Sequence, residues 1–115
     1  MEEKTIFEKI SDREIPAEIV FEDEQCLCIK DISPQAPVHA LLIPKVRIER
    51  IGASQATEAA LLGHLMTQVP AITEELGIKE SGFRLVINNG KDGGETVPHL
   101  HIHILGGRKL EWPPG

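Results

Sequence analysis

Near the C-terminal end, His99-Leu100-His101-Ile102-His103 alternates histidine with aliphatic residues before closing on Ile104 and Leu105. A period of two belongs to an extended strand, whose side chains point to opposite faces in turn. The pattern predicts a strand that turns Leu100, Ile102 and Ile104 into a core and gathers His99, His101 and His103 on its other face. Histidine is rarely chosen for packing, and its ordinary pKa lies near neutrality. Three imidazoles on one strand face therefore ask for a chemical explanation.

Such a strand needs partners, and the chain supplies them. Ile19-Val20-Phe21-Glu22 and Cys26 to Lys30 read as two strands joined by the polar turn Asp23-Glu24. His39 to Ile43 reads as a third, stopped by Pro44, and Phe83 to Asn88 as a fourth. Ser33-Pro34-Gln35-Ala36-Pro37 cannot be regular structure, because two prolines remove donors and fix φ. Thr5 to Ile10 predicts a short amphipathic helix, ended before Pro16.

Leu62, Leu65, Met66, Val69, Ile72 and Leu76 follow helical spacing, with Ser54 as N-cap and Gly77 as C-cap. Pro70 within that stripe should kink or divide the helix. The whole predicts one α+β domain over residues 1–115: a five-stranded antiparallel sheet with a long helix and a short N-terminal helix on one face.

The 115 residues hold 12 Lys and Arg against 18 Asp and Glu, a formal charge of −6, and 41% are hydrophobic. The charge argues against nucleic-acid binding, which depends on many basic contacts to phosphates. A single mononucleotide held by local donors is compatible with it. No apolar run approaches the roughly 20 residues of a membrane helix. Met1-Glu2-Glu3-Lys4 has no signal-peptide layout, so a cytoplasmic protein without membrane partners is expected. Cys26 and Cys28 suit reduced packing residues. His64, on the long helix, is expected to be structural.

The histidines admit two chemistries. Residues i and i+2 on a strand lie about 6.5–7 Å apart. A zinc ion with bonds of about 2.1 Å takes His99 and His101 but not readily all three, and a further ligand such as His39 must come from elsewhere. No C-x-x-C or H-E-x-x-H accompanies them, and no metal or other cofactor is expected. As acid–base groups, neighbouring imidazoles disfavour one another's protonation. The central His101 then stays neutral with one free lone pair, and its neighbours orient it or protonate a leaving group.

The loop before them, Asn88-Asn89-Gly90-Lys91-Asp92-Gly93-Gly94-Glu95-Thr96, is either an ordinary connection or an anion cradle. Its glycines let backbone N–H groups approach an anion, and Asn88 and Thr96 add neutral donors. Asp31 is either a turn cap or an acceptor for ribose hydroxyls.

His-φ-His-φ-His-φ-φ, with φ apolar, resembles the signature of the histidine triad superfamily. Asp31-Ile-Ser-Pro-Gln-Ala-Pro, Leu61-Leu-Gly-His-Leu-Met, Asp92-Gly-Gly, Leu105-Gly-Gly-Arg and Trp112-Pro-Pro-Gly resemble its Hint branch, the purine nucleoside phosphoramidases, from about Phe21 to Gly115. The resemblance implies a homodimer that splits the P–N bond of nucleoside 5′-phosphoramidates into a purine nucleoside monophosphate and an amine. It implies His101 as nucleophile, His103 at phosphate and leaving group, and His99 and His39 as the rest of a histidine network. Asn88, Gly94 and Thr96 fall at phosphate positions, Asp31 and Ile32 at ribose positions, and Trp112 on the partner's substrate. Thr96 stands where serine is usual, and Pro70 interrupts the helix associated with the dimer interface. A nucleotide-binding module with little turnover is the alternative. A nucleotidyltransferase would more commonly carry glutamine at position 103.

Overall fold

The sheet is built from the inside out. In the computed structural model, which describes residues 3–115, β2 (Cys26–Lys30) and β3 (Val38–Pro44) pair antiparallel with Cys28 opposite Leu42 and Ile29 opposite Leu41. β1 (Ile19–Glu22) flanks β2 through the short turn at Asp23. β5 (Ile102–Gly106) inserts between β3 and β4 (Phe83–Val86), giving the order β1-β2-β3-β5-β4. Every pairing is antiparallel. The expected α+β fold with five antiparallel strands is the observed one.

The placement of the helices differs from expectation. Cys26, Cys28, Ala40, Leu42, Leu100, Ile102 and Ile104 form one core with Leu65, Val69 and Ile72 of the long helix α2 (Ala59–Glu75). Leu27, Ile29, Leu41 and Ile43 form a second core with Phe7 and Ile10 of the short helix α1 (Ile6–Ser11). The two helices therefore cover opposite faces, not one. Alternate residues of β2 and β3 enter different cores, which is why residues 26–29 and 40–43 are apolar without alternation. Cys26 and Cys28 are buried free thiols of the α2 core.

Other bounds shift for local reasons. The last strand starts at Ile102 rather than His99, because Leu100 N–H bonds the Ile48 carbonyl and His99 N–H bonds Val97. The alternation survives: Leu100 stays in the α2 core, while Phe7 meets the rings of His99 and His101 on the other side. β4 ends at Val86, opposite His103, instead of running to Asn88. Pro44 pairs with Cys26 as the last residue of β3 rather than lying beyond it.

Ser54 does not cap α2. Its hydroxyl bonds the Ile51 carbonyl at the end of a 3₁₀ turn, and a second 3₁₀ turn, Ala56–Glu58, leads into the helix. Gly77, at φ +75°, closes α2 as foreseen: its N–H reaches Glu74 O and that of Ile78 reaches Thr73 O. Pro70 does not divide α2, which runs unbroken past it. Among the described residues no helix is long and apolar enough to cross a membrane.

Pro70 is exposed and leaves the Met66 carbonyl without its helical N–H. Replacing Pro70 with Ala should therefore stabilise the fold, by up to about 3 kcal/mol. Urea unfolding of the two proteins checks this; an unchanged or lower midpoint would refute it.

Candidate functional site

The pairing of β3 with β5 creates the site. Leu41 lies opposite His103 and His39 opposite Leu105, so His39 and His103 are diagonal neighbours on the α1 face. Their rings sit 5.2 Å apart between centroids, those of His103 and His101 5.1 Å, and Phe7 closes the row against His101 at 4.9 Å. Asp31 follows β2 and brings Oδ2 to 3.5 Å from His39 Nε2. The structure thus brings together His99, His101, His103, His39 and Asp31.

Hydrogen-bond partners determine which nitrogens carry protons. Gln35 N–H donates to His39 Nδ1 at 3.0 Å, so that nitrogen is an acceptor. In the neutral ring the proton is on Nε2, which bonds His103 Nδ1 at 2.9 Å. His103 is left with its proton on Nε2, a donor facing away from His39.

His101 is set the opposite way. Its Nδ1 meets the His99 carbonyl at 2.8 Å, and a carbonyl can only accept. Nδ1 therefore holds the proton, and Nε2 of the neutral ring holds an unshared pair. His99 is closed at both nitrogens, with Nε2 on the Pro44 carbonyl at 2.8 Å and Nδ1 on the Thr5 hydroxyl at 2.7 Å.

Burial lowers the pKa of His39, with Asp31 opposing. It lowers His99 too, against the Pro44 carbonyl and Glu8. It pushes His103 to about 4, helped by His101 and His39. Desolvation rather than mutual repulsion of the imidazoles is the first cause in each case.

The metal arrangement considered from spacing is closed off, since both ring nitrogens of His99 are engaged. Ligand-capable atoms do converge in two groups among the described residues, Asp31-His39-His103 and Asp23-Cys26-His64. The first is the hydrogen-bonded row itself. The second is a clasp: His64 Nε2 bonds Asp23 Oδ2 at 2.6 Å, while Gln25 and Cys26 N–H groups hold Oδ1. It ties α2 to the β1–β2 turn.

The glycine loop is anchored from outside. Glu95 accepts from Arg50 at 2.8 and 3.0 Å and from Gly90 N–H at 2.9 Å; Arg50 first, then Gly90, holds its carboxyl down at about 2. Gly52 N–H bonds Asn89 Oδ1 at 2.6 Å. Gly94 N–H already bonds the Lys91 carbonyl at 3.1 Å, so the Gly90 and Gly94 amides serve the loop itself.

Asn88 Nδ2 bonds the Gly93 carbonyl at 2.6 Å, and Thr96 is exposed. A Cβ at Gly93 would lie 2.4 Å from the Asn89 carbonyl oxygen, so the close turn needs glycine there.

Ile32, next to Asp31, is 95% exposed, and Trp112, 78% exposed, has the Arg84 guanidinium 5.8 Å from its ring. A cavity of about 420 Å³ opens beside Asp31 and His39, lined also by Lys30, Pro34 and Leu76. Sequence reading missed Thr5, Arg50 and the backbone groups of Gln35 and Pro44. Only Thr5 carried a signal, the Thr-x-x-Glu of a capping box.

Burial of neutral histidines makes stability depend on pH. The unfolded chain binds protons to these rings below 6.5, while folded His103 does so only near 4. More protons on the unfolded side means stability falls as pH drops from about 6.5 towards 4. For His103 this amounts to at most about 3 kcal/mol. Urea unfolding at pH 7, 6 and 5 should show the decline, and His103→Gln should flatten it; equal slopes in both proteins would exclude His103 as the source.

Comparison with known proteins agrees with this geometry. The HIT domain family model matches residues 12–110. An uncharacterized HIT-like protein of Synechocystis sp. is 56% identical over 115 residues, the full length of both chains. An adenylylsulfatase of Arabidopsis thaliana is 49% identical over 96% of this chain and 76% of its own. The crystal structure of a HIT family hydrolase from Legionella pneumophila superposes with a TM-score of 0.94 at 43% identity, covering 97% of this chain and all of that one. With a row of histidines bonded through β3 and β5 and a family match over most of its length, the chain belongs to the HIT domain family, on its Hint branch.

Proposed function

We propose that the protein hydrolyses nucleoside 5′-phosphoramidates, releasing a purine nucleoside 5′-monophosphate and an amine. The observation that carries this reading is the bond from His101 Nδ1–H to the His99 carbonyl, which leaves Nε2 as the basic nitrogen. That nitrogen attacks phosphorus, a phosphorus–nitrogen bond to His101 forms, and the bond to the amine breaks. The amine departs neutral, carrying a proton its nitrogen has taken from solvent. Water then attacks phosphorus, His101 leaves with its electron pair, and the surplus proton returns to solvent.

His103 acts in this scheme as an Nε2–H donor to the phosphoryl group and the departing nitrogen. Donation to His103 Nδ1 from His39, and its low pKa, support a role as neutral donor rather than as a reservoir of protons. Asn88 and Thr96 serve the phosphate, Gly94 shapes the loop that carries them, and Asp31 and Ile32 serve the ribose.

The relative from Arabidopsis, by its name, acts on adenylyl sulfate. The same attack at an adenylyl phosphorus serves with sulfate as the leaving group, so both substrates belong in the assay.

With His101→Ala, turnover of adenosine and guanosine phosphoramidates should fall at least about 10³-fold while AMP still binds. Rapid-quench mass spectrometry should find a nucleotidyl adduct on His101 of the unaltered protein. An adduct on His99 or His103 would move the nucleophile, and binding without turnover in the unaltered protein would favour the binding-module reading. Activity should survive EDTA; loss restored by stoichiometric zinc would bring back a metal mechanism.

The reading includes a homodimer in which each tail completes the neighbour's site. The 78% exposure of Trp112, whose ring has the Arg84 guanidinium 5.8 Å away, supports a tail that meets a second subunit. Deleting residues 112–115 should change selectivity among leaving amines more than affinity for AMP. Unchanged selectivity in the deletion variant would remove the tail from the site.

A further inference from the structure

We propose that Thr5 is a positioning residue for His101, acting through His99: its hydroxyl proton fills His99 Nδ1 and holds the His99 carbonyl on His101 Nδ1–H. This rests on the reading of His101 as nucleophile.

The chain of bonds has one consistent polarity. Pro44 O can only accept, so His99 Nε2 donates to it at 2.8 Å. The neutral ring then presents a lone pair at Nδ1, and the partner there must donate. Thr5 Oγ1, 94 residues away in sequence and 2.7 Å away in space, can do so. The same oxygen accepts from Glu8 N–H at 3.1 Å, so it donates to one partner and accepts from the other.

His99 is 1% exposed, so bulk solvent does not reach the bond. A ring pinned at both nitrogens cannot rotate without breaking two bonds in a dry site. The carbonyl it carries is the group that fixes the proton of His101.

Helix α1 is thereby a bracket for the histidine row. Glu8, which completes the capping box on Thr5 N–H at 2.9 Å, also bonds Arg47 Nε at 3.0 Å, just after β3. Phe7 lies edge-on to His99 at 5.7 Å and over His101. Capping alone asks of residue 5 only an acceptor for Glu8 N–H. The contact with His99 asks for a donor as well, and this difference makes the proposal testable.

Thr5→Asp keeps an excellent N-cap but offers His99 Nδ1 a carboxylate, which can only accept. Thr5→Ser keeps both functions. In Thr5→Asp, kcat for adenosine phosphoramidate should fall about 10-fold or more with KM within about twofold, since a small misplacement of a reacting group is costly. Ring ¹⁵N NMR should show a proton moved to His99 Nδ1 and altered nitrogen shifts at His101. Thr5→Ser should match the unaltered protein in both.

Wild-type kcat together with wild-type His101 shifts in Thr5→Asp would overturn the proposal. If the unaltered protein turns over no phosphoramidate, the proposed activity fails, and the His101 shifts alone decide the role of Thr5. Should Thr5→Asp not fold, Thr5→Val, which removes the donor and the cap acceptor together, is compared with Thr5→Ser, and unchanged His101 nitrogen shifts in Thr5→Val would overturn the proposal.

Discussion

The histidine row runs from β3 onto β5 and the segment leading into it, in the interior of a sheet covered on both faces, where His39, His99 and His101 are buried. Each imidazole brings two nitrogens, and each nitrogen in a dry place needs a partner of the right polarity. No buried side-chain nitrogen or oxygen among the described residues lacks one. The partners that end the chains are backbone groups: the Pro44 and His99 carbonyls and the Gln35 amide. A carbonyl cannot donate and an amide N–H cannot accept, so each ring is driven to one tautomer. Burial lowers His39, His99 and His103 together, which keeps those tautomers neutral. The lone pair at His101 Nε2 is thus a by-product of the bond from its Nδ1–H to the His99 carbonyl.

Much of this was legible in the sequence because it follows from chain geometry. Alternation of histidine with aliphatics put the imidazoles on one side even though regular pairing begins only at Ile102. The apolar stripe of α2, the prolines of 31–37 and Gly77 marked their elements through periodicity, missing donors and positive φ. The side taken by α1 was misread, although a signal was present. Cys26-Leu27-Cys28-Ile29 and Ala40-Leu41-Leu42-Ile43 are apolar without alternation, the mark of strands buried on both faces. One face needs α2, and α1 is what remains to cover the other.

What stayed illegible is tertiary. The Thr-x-x-Glu signature announces a helix start, but nothing local says that the capping hydroxyl will meet an imidazole 94 residues on. Ser54 failed as a cap for a related reason. Several residues before α2 offer suitable side chains, and two 3₁₀ turns place Gln55 and Glu58, not Ser54, at the lead into the helix. The start of the last strand moved because Leu100 N–H found the Ile48 carbonyl, outside the sheet.

In the glycine loop, composition alone does not distinguish turn geometry from an anion cradle. Its glycines satisfy turn geometry, and the Gly90 and Gly94 amides are spent inside the loop. The loop also carries Glu95, whose charge is felt at His101 and whose low pKa keeps it ionised at neutral pH. A bare carboxylate there would repel a phosphate approaching the row. The forked bond from Arg50 places a positive charge directly on it and engages both oxygens. The pair then stiffens the loop while presenting little net charge, and under the proposed function it falls to side chains such as Asn88 and Thr96, rather than to a cradle of glycine amides, to meet a phosphate.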